Sequence, residues 1–263
     1  MSEFHDIRIE RPLDNVGRIV LARPESHNTA RPEGLSELCV AMDRLSADNQ
    51  VQAIILAADG DHFSAGADFD YLDRLTRMTP AEIKILVYTH FQGAARRIWH
   101  CPKPTLALLQ GTAVSVGCEL ALACDFRVAS QDASFLEVWI KAGIMPPLGG
   151  TFLLPRIIGL SRAKNMCLRG VPMLADEALR AGLVSDVVSR DELQEHGLKL
   201  AEELAGLSAA AYAAIKESMH RGLSTSMDAE WTSNLPQQAV LLSSSDFRDG
   251  LDSIKQQRAQ RGQ

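Results

Sequence analysis

The feature that most constrains this chain is an order of short apolar run, helical stretch and short apolar run that occurs twice. Gly17 to Leu21 and Val51 to Ala57 are short β-branched runs bounded by turn residues. Gly34 to Leu45, between them, carries apolar residues at three- and four-residue spacing. The order returns at Pro104: Thr105 to Leu109 reads as a strand, Gly117 to Cys124 as a short apolar helix and Phe126 to Ala129 as another strand. Strands alternating with helices predict an α/β fold with a largely parallel sheet, whose sites lie in loops at the strand ends. The segments after Ala57 and after Leu109 are the ones to search.

Downstream the pattern is mostly helical: Ala163 to Leu168, Ala175 to Ala181 before Gly182, Asp191 to Ala205, and Ala209 to Arg221. Arg74 to Trp99 reads as one long mobile helix or lid, with Pro80 near a helix start. From Ser233 onward the chain has too few apolar groups for a core of its own, so that tail is expected to pack on something, such as a neighbouring subunit. With 263 residues there is ample chain for one or two domains.

A formal net charge of -6, from 27 Lys+Arg against 33 Asp+Glu, argues against nucleic acid as the main partner. No apolar run approaches the roughly 18 residues of a membrane span, and the N-terminus lacks the pattern of a signal peptide. Five cysteines (Cys39, Cys101, Cys118, Cys124, Cys167) show neither a C-x-x-C pair nor histidines at metal-ligand spacing. They read as reduced thiols in a cytoplasmic protein, with no metal expected.

Three segments carry candidate chemistry. His62 to Asp68 is rich in small residues, which let backbone approach a ligand and leave peptide N–H groups free, although an ordinary tight turn has the same composition. Gln110 to Glu119 joins a strand to a helix, whose first-turn N–H groups are suited to an oxyanion. Glu119 then sits one turn into an apolar helix: either solvated at the helix start, or buried with a raised pKa fit for acid–base work. Ala113 to Gly117 falls one residue short of a G-x-S-x-G nucleophile elbow, leaving Ser115 as a candidate nucleophile. His62, His90, His100, His196 and His220 are scattered without a cue to a triad partner.

Taken together, the segments resemble the crotonase, or enoyl-CoA hydratase/isomerase, family. The resemblance is carried by Arg23-Pro24 and Asn28, Phe63 to Asp68, Pro102-Lys103-Pro104, Gly117 to Asp125 and Ala133-Ser134-Phe135. It continues through Gly143-Ile144, Gly149-Gly150, Leu154 to Gly159, Ala175 to Ala178 and Gly182-Leu183-Val184. In order, these cover the chain from about residue 15 to the C-terminal tail.

The resemblance implies a spiral of β-β-α units, residues 1–200, with a helical C-terminal region, residues 201–263, that builds homotrimers or homohexamers. It implies an acyl-CoA substrate, with coenzyme A entering only as part of that substrate and no separate cofactor. The thioester oxygen would lie between the N–H groups of Ala67 and Val116, and Glu119 would be the acid–base residue. Ala65, Asp68, Phe69, Gly117 and Trp139 would line the substrate. The sequence departs from the family at three points, the first being Val116 where Gly is usual, which keeps the backbone donor but narrows the space beside it. Trp139 stands where hydratases carry a second glutamate, which puts two-glutamate hydration in doubt; it resembles an aromatic wall for a flat acyl group, with Glu137 as a partial substitute. Where relatives place a Lys or Arg for the CoA phosphates, this chain has Glu25-Ser26-His27; Lys255, Arg258 and Arg261 of the tail are either substitutes or simply a solvated charged end, the latter being the favoured reading. Two rival readings stay open: a crotonase-fold binding protein with weak chemistry, and a hydrolase using Ser115.

Overall fold

The computed structural model describes residues 4–260 and divides the chain into two compact units, the first ending at Ala205 and the second beginning at Gly206. The first opens with β1 (Ile7–Leu13) and β2 (Val16–Leu21), then α1 (Pro32–Ala47), β3 (Ala53–Ala58), α2 (Phe69–Leu75), α3 (Pro80–Leu86) and α4 (Gln92–Trp99). It continues with β4 (Thr105–Leu109), β5 (Thr112–Val114), α5 (Val116–Ala123), β6 (Phe126–Ser130), β7 (Ser134–Leu136), α6 (Gly150–Ile157) and α7 (Leu160–Arg169). β8 (Met173–Leu174), α8 (Ala175–Ala181), β9 (Asp186–Val188) and α9 (Leu193–Ala205) complete it.

The large sheet has the order β1-β2-β3-β4-β6-β9; β1 and β2 form an antiparallel hairpin, and every other pairing is parallel. β3 and β4 are buried at every position, as expected of strands covered on both faces. One face packs on Leu35, Leu38, Met42 and Leu45 of α1. The other meets α9, where Leu193 and Ala201 pack with Ile55, Leu106 and Val128. Gly197 of α9 lies so close to the sheet that the Leu108 side chain fills the place of a Cβ.

A small sheet, β5-β7-β8, runs beside the large one. The chain crosses the large sheet in β4, the small sheet in β5, and returns through α5; β6 and β7 repeat the pass. After β3, an isolated bridge between Ser64 and Ala113 takes the small-sheet position. The predicted parallel sheet is therefore present, but each pass is β-β-α rather than β-α. Three-residue strands such as β5 and β7 are too short to show an alternation in sequence.

The stretch expected as one long helix is broken. α2 ends at Leu75, and α3 restarts behind a capping box in which the Thr79 hydroxyl and Glu82 carboxylate close on each other's backbone, with Pro80 at the first helical position. A π-helical turn, Val87–Phe91, then leads into α4.

The second unit holds α10 (Ala209–Gly222), α11 (Met227–Leu242) and α12 (Ser245–Gln260). Arg221 ties α10 to α11 through Glu230 at 2.8 Å. α11 buries none of its residues within the chain, and Trp231, Leu235 and Val240 are 66%, 72% and 69% exposed. All five cysteines are free thiols. Among the described residues no helix is long and apolar enough to cross a membrane.

Candidate active site

The segment Ser64–Asp68 is strung between two neighbours. On one side, the Ala30 N–H donates to Gly66 O at 2.7 Å and the Asp68 N–H donates to Ala30 O at 2.9 Å. That pattern uses the residues flanking Ala67 and turns the Ala67 N–H away from residue 30. On the other side, the Ser64 N–H donates to Thr112 O, and Val114 N–H donates to Ser64 O, joining the segment to β5. Gly66 has φ +97° and sits against Val114.

α5 starts immediately after β5 and presses its first turn on the same segment. A Cβ on Gly117 would stand 2.6 Å from the Ser64 Cβ, so only glycine permits this approach. The Ala67 N–H, turned from Ala30, and the Val116 N–H, in the first helical turn where no intrahelical partner exists, make no hydrogen bond among the described residues. Two peptide donors thus remain on adjoining segments.

Ser115, the residue before α5, has φ 46° and ψ −103°, a conformation rarely taken by L residues. Its N–H donates to Leu136 O at 2.7 Å, and its Oγ accepts from the Val138 N–H at 3.2 Å. The hydroxyl therefore fastens the strand end of β7 to the start of α5. Three of the scattered histidines are engaged elsewhere. His62 Nδ1 accepts from the Thr112 N–H, His90 Nδ1 lies 2.8 Å from Ser36 Oγ, and His196 lies 3.6 Å from Asp186.

Glu119 is buried, at 1% exposure, rather than solvated at its helix start. Its Oε1 accepts from the Leu148 N–H at 2.9 Å and the Gly150 N–H at 2.8 Å, and its Oε2 accepts from Trp139 Nε1–H at 3.1 Å. Burial pushes its pKa up to about 7, against the pull of the Gly150 and Leu148 amides and the Trp139 indole. Oε1 is saturated by two donors, whereas Oε2 keeps a lone pair. The group is thus poised to exchange a proton near neutrality through Oε2.

Trp139 is 6% exposed and begins the turn Trp139–Ala142. Sequence reasoning assigned it only a wall; its indole N–H is also a ligand of the Glu119 carboxylate. Leu148 and Gly150 were missed as ligands because they act through the backbone, although the Gly149-Gly150 pair at the start of α6 marks where two peptide N–H groups become available. Glu137 is fully buried, and neither of its carboxylate oxygens has a hydrogen-bond partner of good geometry.

The remaining expected residues surround these. The Ala65 N–H donates to His27 O at 2.9 Å. Asp68 caps α2 by accepting from the Tyr71 N–H at 3.1 Å. Phe69, at the start of α2, is 83% exposed. Asn28, in a left-handed conformation, joins the loops on either side of the segment: its Nδ2 donates to Asp59 O and His62 O, and its Oδ1 accepts from the Arg23 N–H. Of the tail cations, Lys255 pairs with Asp252 at 3.3 Å, Arg258 lies exposed in the last turn of α12, and Arg261 lies outside the described residues.

A family model, enoyl-CoA hydratase/isomerase, matches residues 12–261. The chain belongs to the enoyl-CoA hydratase/isomerase family. Crotonyl-CoA hydratase of Syntrophomonas wolfei is 30% identical over 97% of this chain and 96% of its own length. A 4-chlorobenzoyl coenzyme A dehalogenase of Arthrobacter is 34% identical over 86% of this chain and 81% of its own. The crystal structure of an enoyl-CoA hydratase subunit from Geobacillus kaustophilus superposes with a TM-score of 0.90 at 30% identity, covering 97% of each chain. The β-β-α spiral followed by a helical C-terminal region is the crotonase fold of that family.

Proposed function

We propose that this family member acts on an acyl-CoA thioester through an enolate, with Glu119 as its acid–base residue. The observation that carries the reading is the Glu119 carboxyl group itself: buried, held by three donors, near neutral in pKa and with one free lone pair. The N–H groups of Ala67 and Val116 form the oxyanion hole in this reading. The Glu119 carboxylate takes a proton from a carbon of the acyl chain, or from water adding to its double bond. The electron pair moves onto the thioester oxygen, where the two N–H groups hold it, and the proton is then returned to carbon. Losing one such donor typically costs about 3 to 4 kcal/mol in the barrier.

With an indole rather than a carboxylate at position 139, double-bond isomerisation, which needs one carboxylate, fits as well as hydration. Trp139 also bounds the acyl group in this reading, with Ala65, Asp68, Phe69 and Gly117 around the thioester, and no cofactor is required beyond the coenzyme A of the substrate. The Ser115 Oγ accepts from the Val138 N–H, and His62, His90 and His196 are engaged elsewhere, so in this reading the chemistry rests on Glu119. The exposed apolar residues of α10 to α12 support self-association, as a homotrimer or a pair of trimers. Assaying E119Q against a panel of enoyl-CoA thioesters tests the assignment: turnover should fall on the order of 10²- to 10⁴-fold. Unchanged turnover would reject Glu119 as the acid–base group.

A further inference from the structure

The group that the mechanism above leaves unused is Glu137. Its backbone is clamped beside the first turn of α5: the residue before it, Leu136, accepts from the Ser115 N–H, and the residue after it, Val138, donates to Ser115 Oγ. Two residues on, Trp139 donates to Glu119. The side chain is 0% exposed and neither oxygen has a hydrogen-bond partner of good geometry. A lone carboxylate there would be a charge without compensation, which costs far more than keeping the proton.

We propose that Glu137 is a positioning residue that stays protonated, so that the buried Glu119–Glu137 pair carries a single negative charge, borne by Glu119. The groups facing Glu137 leave it no other stable form. Glu119 and Cys118 approach from α5 and Cys167 from α7; both thiols are themselves pushed upward by burial and stay uncharged at neutral pH. No cation is among these neighbours. Burial first, and the Glu119 charge second, hold the Glu137 carboxyl well above the usual range, with the Cys118 thiol as a weak opposing donor. Glu119 differs only in having three donors. Unequal environments divide the roles: one carboxyl group exchanges protons near neutrality, and the other is kept as a neutral acid.

In this arrangement Glu137 protects the oxyanion site from a second negative charge, and ionising it at alkaline pH closes the active form. Activity that requires a Glu119 carboxylate therefore rises through about 7 and falls again on the alkaline side. The consequence for turnover rests on Glu119 being the acid–base group; the protonation of Glu137 does not.

Infrared spectroscopy of the full chain at roughly pH 8, about one unit above Glu119, reads that protonation directly. The carbonyl stretch of a protonated carboxylic acid should be present in the wild type and in E119Q, and absent from E137Q, an isosteric change that keeps the site filled. Absence of the band in the wild type, or its survival in E137Q, overturns the proposal whatever the activity. In the pH profile of kcat/KM, E137Q should keep the acid limb and lose the alkaline limb; a retained alkaline limb overturns the functional role. If E119Q keeps full turnover, the assignment of the chemistry fails while the infrared result still decides the state of Glu137.

Discussion

Glu119 illustrates how burial and hydrogen bonding compete at one atom group. Burial alone favours the neutral acid, and each donor gives back part of that shift to the charged form. Trp139 is the one donor of the three that a side-chain substitution can remove. In W139F the charged form loses a hydrogen bond worth roughly 1.5 to 3 kcal/mol, so the acid limb of the pH profile should move upward by about one unit or more. Titrating kcat/KM in W139F checks the direction; a limb that stays in place would show that the indole N–H does not tune Glu119. Helix starts and small-residue loops have a recognisable chemistry, which singles out the segments holding Glu119, Ala67 and Val116, while the choice of the Ala67 and Val116 N–H groups comes from the family resemblance. The partners that set the Glu119 proton affinity could not be found that way, because Leu148 and Gly150 contribute backbone that any residue but proline possesses. Glu137 is named from sequence only as a partial substitute for a second glutamate; that its oxygens find no partner of good geometry is a fact of packing.

α5 has eight residues and every one is buried, so its position is set by packing and not by its own helical propensity. Gly117 sets how closely it approaches Ser64. In G117A the new methyl group meets a short, buried serine that has little freedom to yield, and overpacking of this kind typically costs about 1 to 3 kcal/mol. Denaturant unfolding should register that loss. Turnover should fall with it, because the displacement separates the segment bearing Ala67 from the helix start bearing Val116. A stable G117A protein with full activity would show that this approach is not what positions the two N–H groups. β2, β3, β4 and β6 and the helices α1, α5 and α7 to α10 were legible from runs and spacing of apolar residues, and α3 from Pro80, whereas β1, β9, α6, α11 and α12 were not read. The break between α2 and α3 was missed because Arg74 to Trp99 reads as one helix, although the Thr79–Glu82 capping box marks a new helix start. The small sheet was hidden because its strands are three residues or fewer.

Over the whole molecule, the second unit leaves apolar side chains at Met227, Trp231 and Leu235, spaced four apart and so on one face of α11. Exposed apolar surface at this spacing marks an interaction face. Self-association is expected from the wild-type chain, and L235E should shift sedimentation toward a smaller species while far-ultraviolet circular dichroism keeps its helical signal. A wild type that sediments as a monomer would remove the case for a trimer. The suspension of Ser64–Asp68 between Ala30 and β5 has a different implication. The reach between the two candidate donors is dictated by main-chain spacing and is indifferent to what grows from the α-carbons at 67 and 116. Mutational drift can therefore remodel the side chains around positions 67 and 116 while the spacing of the two candidate N–H donors passes unchanged from one variant to the next.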